Sequence, residues 1–383
     1  MTFLVLGAAL LVAAVAIVGA YAAWLLTAPR QASPAPCTAL PEVLIVVPVY
    51  DEAPLILRKL ENLAALDYPP ALWRATIVDG GSTDGTIAIA QRWIAQGIAG
   101  RPAFTLLQTT HRDKTAQLND ALRVESGPEW ILVTDADAQL APETLRALAA
   151  VAMADPSVGV VGAGVRPAAA HPLESLHWRA TDWLRQRESD RGSAAIVAAP
   201  CYLARRQFLR AMPPDTLADD VHVACRAMLQ GHRVGHASTT VIELRSPRSF
   251  RALLRHKYRK ADAYLREIVR FLPAVRRMPA PLRAIFLWRA ALLTAVPFLG
   301  AAGAVLLALG APTLLESATP AWLLLALLFL FAPVRAAARA ASLAAMLAAV
   351  SALALFTYPF SRQGASFPKV LQPWEYQLPD EAQ

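Results

Sequence analysis

Residues 43–52 read Val-Leu-Ile-Val-Val-Pro-Val-Tyr-Asp-Glu. The β-branched run predicts a strand over Val43–Pro48, and the polar turn after it ends in two carboxylates. The pattern recurs downstream. Strand-like runs span Ala75–Asp79, Phe104–Gln108, Ile131–Asp135 and Val158–Ala163; helix-like runs span Ala53–Leu66, Thr86–Gln96, Ala116–Val124 and Pro142–Ala154. Apolar strands alternating with helices predict an α/β domain on a mostly parallel sheet. In such sheets ligands bind beyond the carboxyl ends of the strands. The notable polar residues of this chain fall there.

The flanks are of another kind. Residues 1–27 carry no charge and suffice for a membrane-spanning helix. A cleaved signal peptide would need a basic start and a shorter apolar core. Arg30 follows, which predicts that the next segment is cytoplasmic. After Pro281 the chain turns apolar again, with candidate spans Ala284–Leu309, Pro320–Val334 and Ser342–Phe360. Arg335 and Arg339 are expected in a cytoplasmic loop between the last two. The organisation predicted is therefore a spanning helix over 1–27, a cytoplasmic domain over 40–245, a basic amphipathic interface region over 246–280, two or three spans within 284–360, and a tail over 361–383. That makes a multi-pass protein of the inner membrane.

Composition agrees. Of 383 residues, 56% are hydrophobic and 17% charged, which excludes a disordered chain and disfavours a purely soluble one. Cys37, Cys201 and Cys225 are scattered, so neither a disulfide scaffold nor a thiolate zinc site is expected. The net charge of +8 favours anionic partners, and the apolar excess makes a lipid surface the first of these. The basic residues cluster beside a span without aromatic stacking spacing, so nucleic acid is not expected as a partner.

Six segments carry chemistry. Pro48-Val-Tyr-Asp-Glu52 and Val78-Asp-Gly-Gly-Ser-Thr-Asp-Gly-Thr86 end the first two strands. A strand-tip carboxylate before a glycine-rich turn suits a base or ribose, although Asp79 also suits a turn alone. Lys114 opens a helix at Lys114-Thr-Ala-Gln-Leu-Asn119, where it suits a phosphate or plain solvent. Asp135-Ala-Asp137 follows an apolar strand. Two close carboxylates there call for a hard divalent cation, unless Asp137 caps the next helix. Asp219-Asp220 is an adjacent pair in which repulsion raises one pKa, as a general base requires; capping of a helix is the other reading. The basic run from Arg248 to Arg277 carries Arg255, Lys257 and Arg259, suited to an interface helix and to a diphosphate clamp.

In this order the segments resemble the family 2 glycosyltransferases of GT-A fold, in their membrane-integrated bacterial form. PVYDE resembles the family's PVYNE, VDGGSTDGT resembles VDDGSTDGT, KTAQLN resembles KGxALN, and DAD matches DxD. ADDVHVACRAMLQGHRV resembles EDxxLxxRLxxxGYR. The resemblance covers about Pro41–Ala263. It implies that Pro48, Tyr50, Glu52, Asp79, Lys114 and Asp135 bind the nucleotide-sugar donor, a UDP-sugar. Asp135 and Asp137 would hold Mn²⁺ or Mg²⁺, and Asp220 would deprotonate an acceptor hydroxyl on a lipid or lipid-linked molecule. Asp219, Arg255, Lys257 and Arg259 would meet the diphosphate or the acceptor.

Two departures matter. Gly80 stands where the family has a second acidic residue, and Asp219 replaces a Glu. The QxxRW of processive polymerases has no counterpart in RHKYRKADAY, which implies transfer of one or a few sugars. A nucleotidyltransferase would need a glycine-rich basic phosphate loop that VPVYDEAPLI does not supply. A binding protein without turnover would have no reason to keep Asp135, Asp137 and Asp220.

Overall fold

The run that opens at Val43 becomes the middle of a sheet. A computed structural model of the chain describes residues 2–31, 34, 39–97, 100–310 and 332–358. Strand β1 (Val43–Val49) is flanked by β2 (Trp73–Asp79) and β4 (Trp130–Thr134), both parallel to it, and β3 (Ala103–Gln108) pairs parallel with β2. Register aligns Val49 with Asp79 and Asp79 with Gln108, so the strands end level. The connecting helices are α2 (Ala53–Ala64), α3 (Thr86–Ala95) and α4 (Lys114–Val124). Asp113 caps α4 by accepting from the Ala116 amide at 2.8 Å.

Beyond β4 the sheet becomes mixed. In chain order there follow β5 (Ala138–Gln139), α5 (Thr144–Ala154), β6 (Val158–Pro167), α6 (Pro172–Arg191), β7 (Cys201–Arg205), α7 (Arg206–Leu209), α8 (Asp219–Leu229) and β8 (Arg233–Glu243). The sheet order is β3-β2-β1-β4-β7-β6-β8-β5, with β7 antiparallel to both neighbours. Alternate residues of β1 enter two cores. Leu44 and Val46 pack with Leu118 of α4, whereas Val43, Ile45 and Val47 pack with Ile56 and Leu60 of α2. Burial on both faces is why the strand reads as an unbroken apolar run, and truncating Ile45 to Ala should cost about 2–5 kcal/mol. Helices thus cover both faces of a mostly parallel sheet, as expected.

The remaining helices are α1 (Thr2–Leu26), α9 (Phe250–Phe271), α10 (Ala280–Leu293), α11 (Ala295–Gly310) and α12 (Ala332–Thr357). Among the described residues, two helical stretches are long and apolar enough to cross a membrane, Thr2–Leu26 and Ala280–Gly310. They lie against each other. A Cβ on Gly7 would stand 2.9 Å from the Gly303 carbonyl oxygen, so small residues set this contact. Phe3, Val5, Leu6, Val12 and Val15 remain exposed on α1.

Polar contacts fasten this pair to α6. Tyr21 donates to Glu188 Oε1 at 2.6 Å, and Arg187 Nη2 donates to the carbonyls of Leu25 and Ala28 at 2.9 and 2.8 Å. Arg289 of α10 lies 3.6 Å from the same Glu188 oxygen. Tyr21 also stacks on Trp288, with centroids 5.2 Å apart.

Arg335 and Arg339 are not in a loop. Both lie in the first turns of α12, because Pro333 falls where a first turn tolerates it and the alanine-rich sequence after it contains nothing that breaks a helix. The expected span Ser342–Phe360 falls on α12 as far as Thr357. Most of the expected span Pro320–Val334, and the whole tail 361–383, lie outside the described residues.

Candidate active site

Asp135 leaves the end of β4, and Lys114 opens α4 beside it. Lys114 Nζ stands 2.8 Å from Asp135 Oδ1 and 3.2 Å from Asp219 Oδ2, and it donates to the Ala199 carbonyl at 3.1 Å. Burial pulls this ammonium downward, but Asp135 and Asp219 outweigh burial, and the net shift is upward. One half-buried cation therefore ties the carboxylates of the β4 tip to those of α8.

Asp137 lies two residues beyond Asp135. It does not cap α5, which begins at Thr144 with Glu143 before it. Burial, Asp135 and Glu243 push its carboxyl up to about 8, against the pull of Arg245. Arg245 is itself within 2.5 Å of Glu52 Oε2. Glu52 and Asp137 thus share the field of one guanidinium.

Asp219 and Asp220 form the first turn of α8, behind Ala218. Their hydroxyl partners differ. Tyr202 of β7 donates to Asp219 Oδ2 at 2.6 Å, and Tyr264 of α9 donates to Asp220 Oδ2 at 2.9 Å. Burial and then Asp219 push the Asp220 carboxyl up to about 6, while Lys260, Lys114 and the Tyr264 hydroxyl hold it down.

At the other end of the edge, Asp79 is fully buried. Its Oδ2 accepts from the amides of Gly81 and Ser82 at 2.9 and 3.0 Å, while its Oδ1 is buried without a hydrogen-bond partner among the described residues. The turn reading and the binding reading therefore use different oxygens. Ser82 Oγ accepts from the Asp51 amide at 2.8 Å, which holds this loop against Pro48-Val-Tyr-Asp-Glu52. Arg112 lies over the Tyr50 ring, 5.0 Å from its centroid. Gly80 sits where no side chain fits: a Cβ there would be 2.3 Å from Gln117 Nε2 and 2.6 Å from the His111 carbonyl oxygen.

The basic residues of α9 separate. Lys257 is buried and paired with Glu174 Oε2 of α6 at 2.6 Å, and burial lowers it to about 8 against the pull of Glu174. Its ammonium is committed to that pair. Burial lowers Arg259 to about 10, with Asp135 opposing, so Arg259 is within electrostatic reach of Asp135. Arg255 is exposed.

The family model for glycosyl transferase family 2 matches residues 44–212, and that for glycosyl transferase family group 2 matches residues 130–358, more than half of the chain. The chain belongs to glycosyltransferase family 2. It is similar to an N-acetylglucosaminyltransferase of Rhizobium leguminosarum bv. viciae, 26% identical over 62% of this chain and 58% of the relative. It is also similar to a beta-monoglucosyldiacylglycerol synthase of Nostoc sp., 28% identical over 50% of this chain and 42% of the relative. The chain thus spans less than two thirds of either relative's length. Among solved structures, mannosyltransferase PcManGT from Pyrobaculum calidifontis, in complex with GDP-Man and Mn²⁺, superposes with a TM-score of 0.74. Identity is 28%, covering 94% of this chain and 99% of that one. The fold is GT-A-like, and the protein is an enzyme of the family 2 glycosyltransferase type.

For a family 2 glycosyltransferase, the sequence concealed several residues at this edge. Lys59 is fully buried behind the Asp-Ala-Asp turn, donating to Thr134 Oγ1 at 2.9 Å and to the Ala138 carbonyl at 2.6 Å; burial lowers it to about 8, against Cys201, Asp135 and Asp137. The available signal was a lysine on the apolar stripe of α2, among Leu55, Ile56, Leu60 and Leu63. Tyr202 and Tyr264 gave no local signal. Lys260 stood in the basic run without distinction.

Proposed function

We propose that this glycosyltransferase is membrane-bound, metal-dependent and inverting, and moves a sugar from a UDP-sugar to a hydroxyl of a lipid or lipid-linked acceptor. The observation that carries this reading is Lys114 shared between Asp135 and Asp219, with Asp220 adjacent. One edge thereby holds an acidic turn for a diphosphate and a carboxylate raised toward neutrality for a proton.

The donor set fits a metal. Asp135 and Asp137 offer hard oxygen ligands, and burial of Asp137 beside Asp135 is eased by a cation. Among the described residues no group of three His, Cys, Asp or Glu side chains converges on one point, so the diphosphate would complete the coordination. A bound Mn²⁺ or Mg²⁺ supplies neutralisation of the charge that develops on the departing diphosphate.

The residues do the rest. Asp79 Oδ1 is free to accept from the imide N–H of a uracil. Glu52, held by Arg245, faces the ribose end, and Pro48 and Tyr50 shape its wall. Lys114 and Arg259 meet the diphosphate. Asp220 takes the acceptor hydroxyl proton; the acceptor oxygen bonds to the anomeric carbon as the carbon–diphosphate oxygen bond breaks, and nucleoside diphosphate leaves. Arg255, exposed on α9, suits the lipid surface. The missing QxxRW supports transfer of one or a few sugars.

The membrane reading rests on α1 and the α10–α11 stretch. Arg30 after α1 and Arg276 and Arg277 before α10 are on the domain side of both, which supports a cytoplasmic domain at the inner membrane. Membranes incubated with a panel of labelled nucleotide-sugars test the proposal. Label should enter the lipid fraction from one donor and require divalent metal; label confined to released free sugar or soluble material overturns it.

A further inference from the structure

Three cations of two helices surround one indole. Around Trp178 of α6 lie Arg185 Cζ at 5.6 Å, Lys260 Nζ at 4.8 Å and Lys257 Nζ at 6.0 Å from the ring centroid. Among the described residues, only Lys257 of the three has a carboxylate within ion-pair distance, Glu174. Arg185 is 3% exposed, and its Nε and Nη1 are buried without hydrogen-bond partners among the described residues. Trp178 Nε1 and both ring nitrogens of His256 are buried and unpartnered as well.

Leaving a guanidinium buried and unsatisfied is costly. The neighbouring anions are engaged elsewhere. Asp182 lies 3.0 Å from His236 Nε2, Glu243 accepts from Ser246, and Asp220 accepts from Tyr264. The field around Trp178 is accordingly positive: burial and then the surrounding lysines and arginines hold His177 and His256 well below the ordinary histidine range. A space rich in donors and poor in free acceptors is complementary to an oxyanion.

Its location narrows the ligand. Arg185 and Lys260 are both electrostatically coupled to Asp220, and Lys260 also to Glu243, whose strand pairs with Ala138 of the acidic turn. The cluster thus borders Asp220, the carboxylate that meets the acceptor in the reading above. Glu188, one helical turn beyond Arg185, is the residue that bonds Tyr21 of α1 and meets Arg289 of α10. The cluster therefore lies one helical turn from the place where the two membrane-length stretches join the domain.

We propose that the donors around Trp178 seat an anionic acceptor headgroup, a phosphate adjacent to the hydroxyl that receives the sugar, held by Arg185 and Lys260. The inference rests on the transferase reading above and extends it from lipid acceptors in general to phosphate-bearing ones. Neutral diacylglycerol leaves the guanidinium unsatisfied and is a poor fit.

The test uses the full-length chain in phosphatidylcholine vesicles doped with equal mole fractions of either phosphatidylglycerol or diacylglycerol, and a third arm with free glycerol phosphate. Two readouts are taken: transfer of labelled sugar, and binding of UDP with Mn²⁺. Phosphatidylglycerol should be labelled at least about tenfold faster than diacylglycerol. Arg185→Gln and Lys260→Gln should each lower that rate about 10- to 100-fold, the range for losing a charged hydrogen bond in a desolvated site, while nucleotide binding persists and shows the variants folded. Labelling of glycerol phosphate rather than vesicles keeps the anion and removes the lipid. Equal labelling of diacylglycerol, equal rates in both variants, or no transfer to any arm with nucleotide binding intact overturns the proposal. Loss of nucleotide binding in the unaltered protein instead overturns the donor-site reading.

Discussion

Lys114 Nζ lies 2.8 Å from Asp135 Oδ1, and this contact makes one unit of two segments that the sequence keeps far apart. The same ammonium lowers the Asp220 carboxyl from a distance. Lys114→Met should therefore weaken UDP–Mn²⁺ binding and move the acid limb of the pH–rate profile upward by about one unit. Transfer rates measured from pH 5 to 9 check both, and an unmoved limb would separate Lys114 from the base.

Asp220, raised to about 6 by burial and by Asp219, must be ionised to accept a proton. Transfer should fall as pH drops through about 6. Stability should move the other way. A carboxyl raised in the fold contributes stability that is full below its ordinary value near 4 and lost as pH rises through about 6. Asp220→Asn should thus abolish transfer, keep UDP binding, and be as stable as wild type or more so at neutral pH, by up to about 3 kcal/mol. Thermal unfolding in detergent at pH 5 and pH 8 reads the difference; retained transfer at the wild-type rate excludes Asp220 as the base.

What the sequence made legible was local. Val43–Val49 announces a strand because both its faces are apolar, and Asp135, Asp137, Asp219 and Asp220 stand in short motifs beside their own strand or helix. What it concealed depends on partners far away along the chain. Tyr202 meets Asp219, Tyr264 meets Asp220, and Lys257 turns to Glu174 rather than to the acidic edge. Helix α6 drew no notice because its buried residues include Glu174, Arg185, Arg187, Glu188 and Asp190, so no apolar stripe marks its inner face. Strand β7 is five residues long and lies antiparallel between β4 and β6, an insertion that alternating strands and helices do not foretell.

Asp137→Ala should remove the metal dependence of nucleotide binding, since Asp137 is one of two carboxylates at the turn after β4. Titrating Mn²⁺ and UDP against wild type and variant reads this directly. Equal affinities refute the assignment.

Lys59 has a positioning role behind the same turn, because its ammonium touches Thr134 and Ala138 rather than the edge itself. Lys59→Met keeps the packing volume but leaves both oxygens without this donor, a loss of about 1–3 kcal/mol. It also withdraws a cation from beneath Asp135 and Asp137. Lower thermal stability together with weaker Mn²⁺ binding is expected. Lower stability with unchanged Mn²⁺ affinity would reduce Lys59 to a purely structural residue.

Gly80 supplies the sharpest steric forecast. The family's second acidic residue at this position reads as a simple gain in sequence terms, yet a Cβ there meets Gln117 Nε2 at 2.3 Å and the His111 carbonyl oxygen at 2.6 Å. Gln117 can swing away, but the backbone carbonyl cannot. Gln117 Nε2 also donates to the Val49 carbonyl at 3.2 Å and to the His111 carbonyl at 3.0 Å, so displacing it loses both bonds, although Val49 keeps the Gly80 amide at 3.0 Å. Gly80→Asp should lower stability by about 1–3 kcal/mol and weaken UDP binding. Adding Gln117→Ala relieves only the side-chain clash, so the double variant should recover part of the loss at most. Thermal unfolding of the two variants beside wild type decides it, and a Gly80→Asp protein as stable as wild type, with tighter UDP binding, would show that the loop has room for the acid after all.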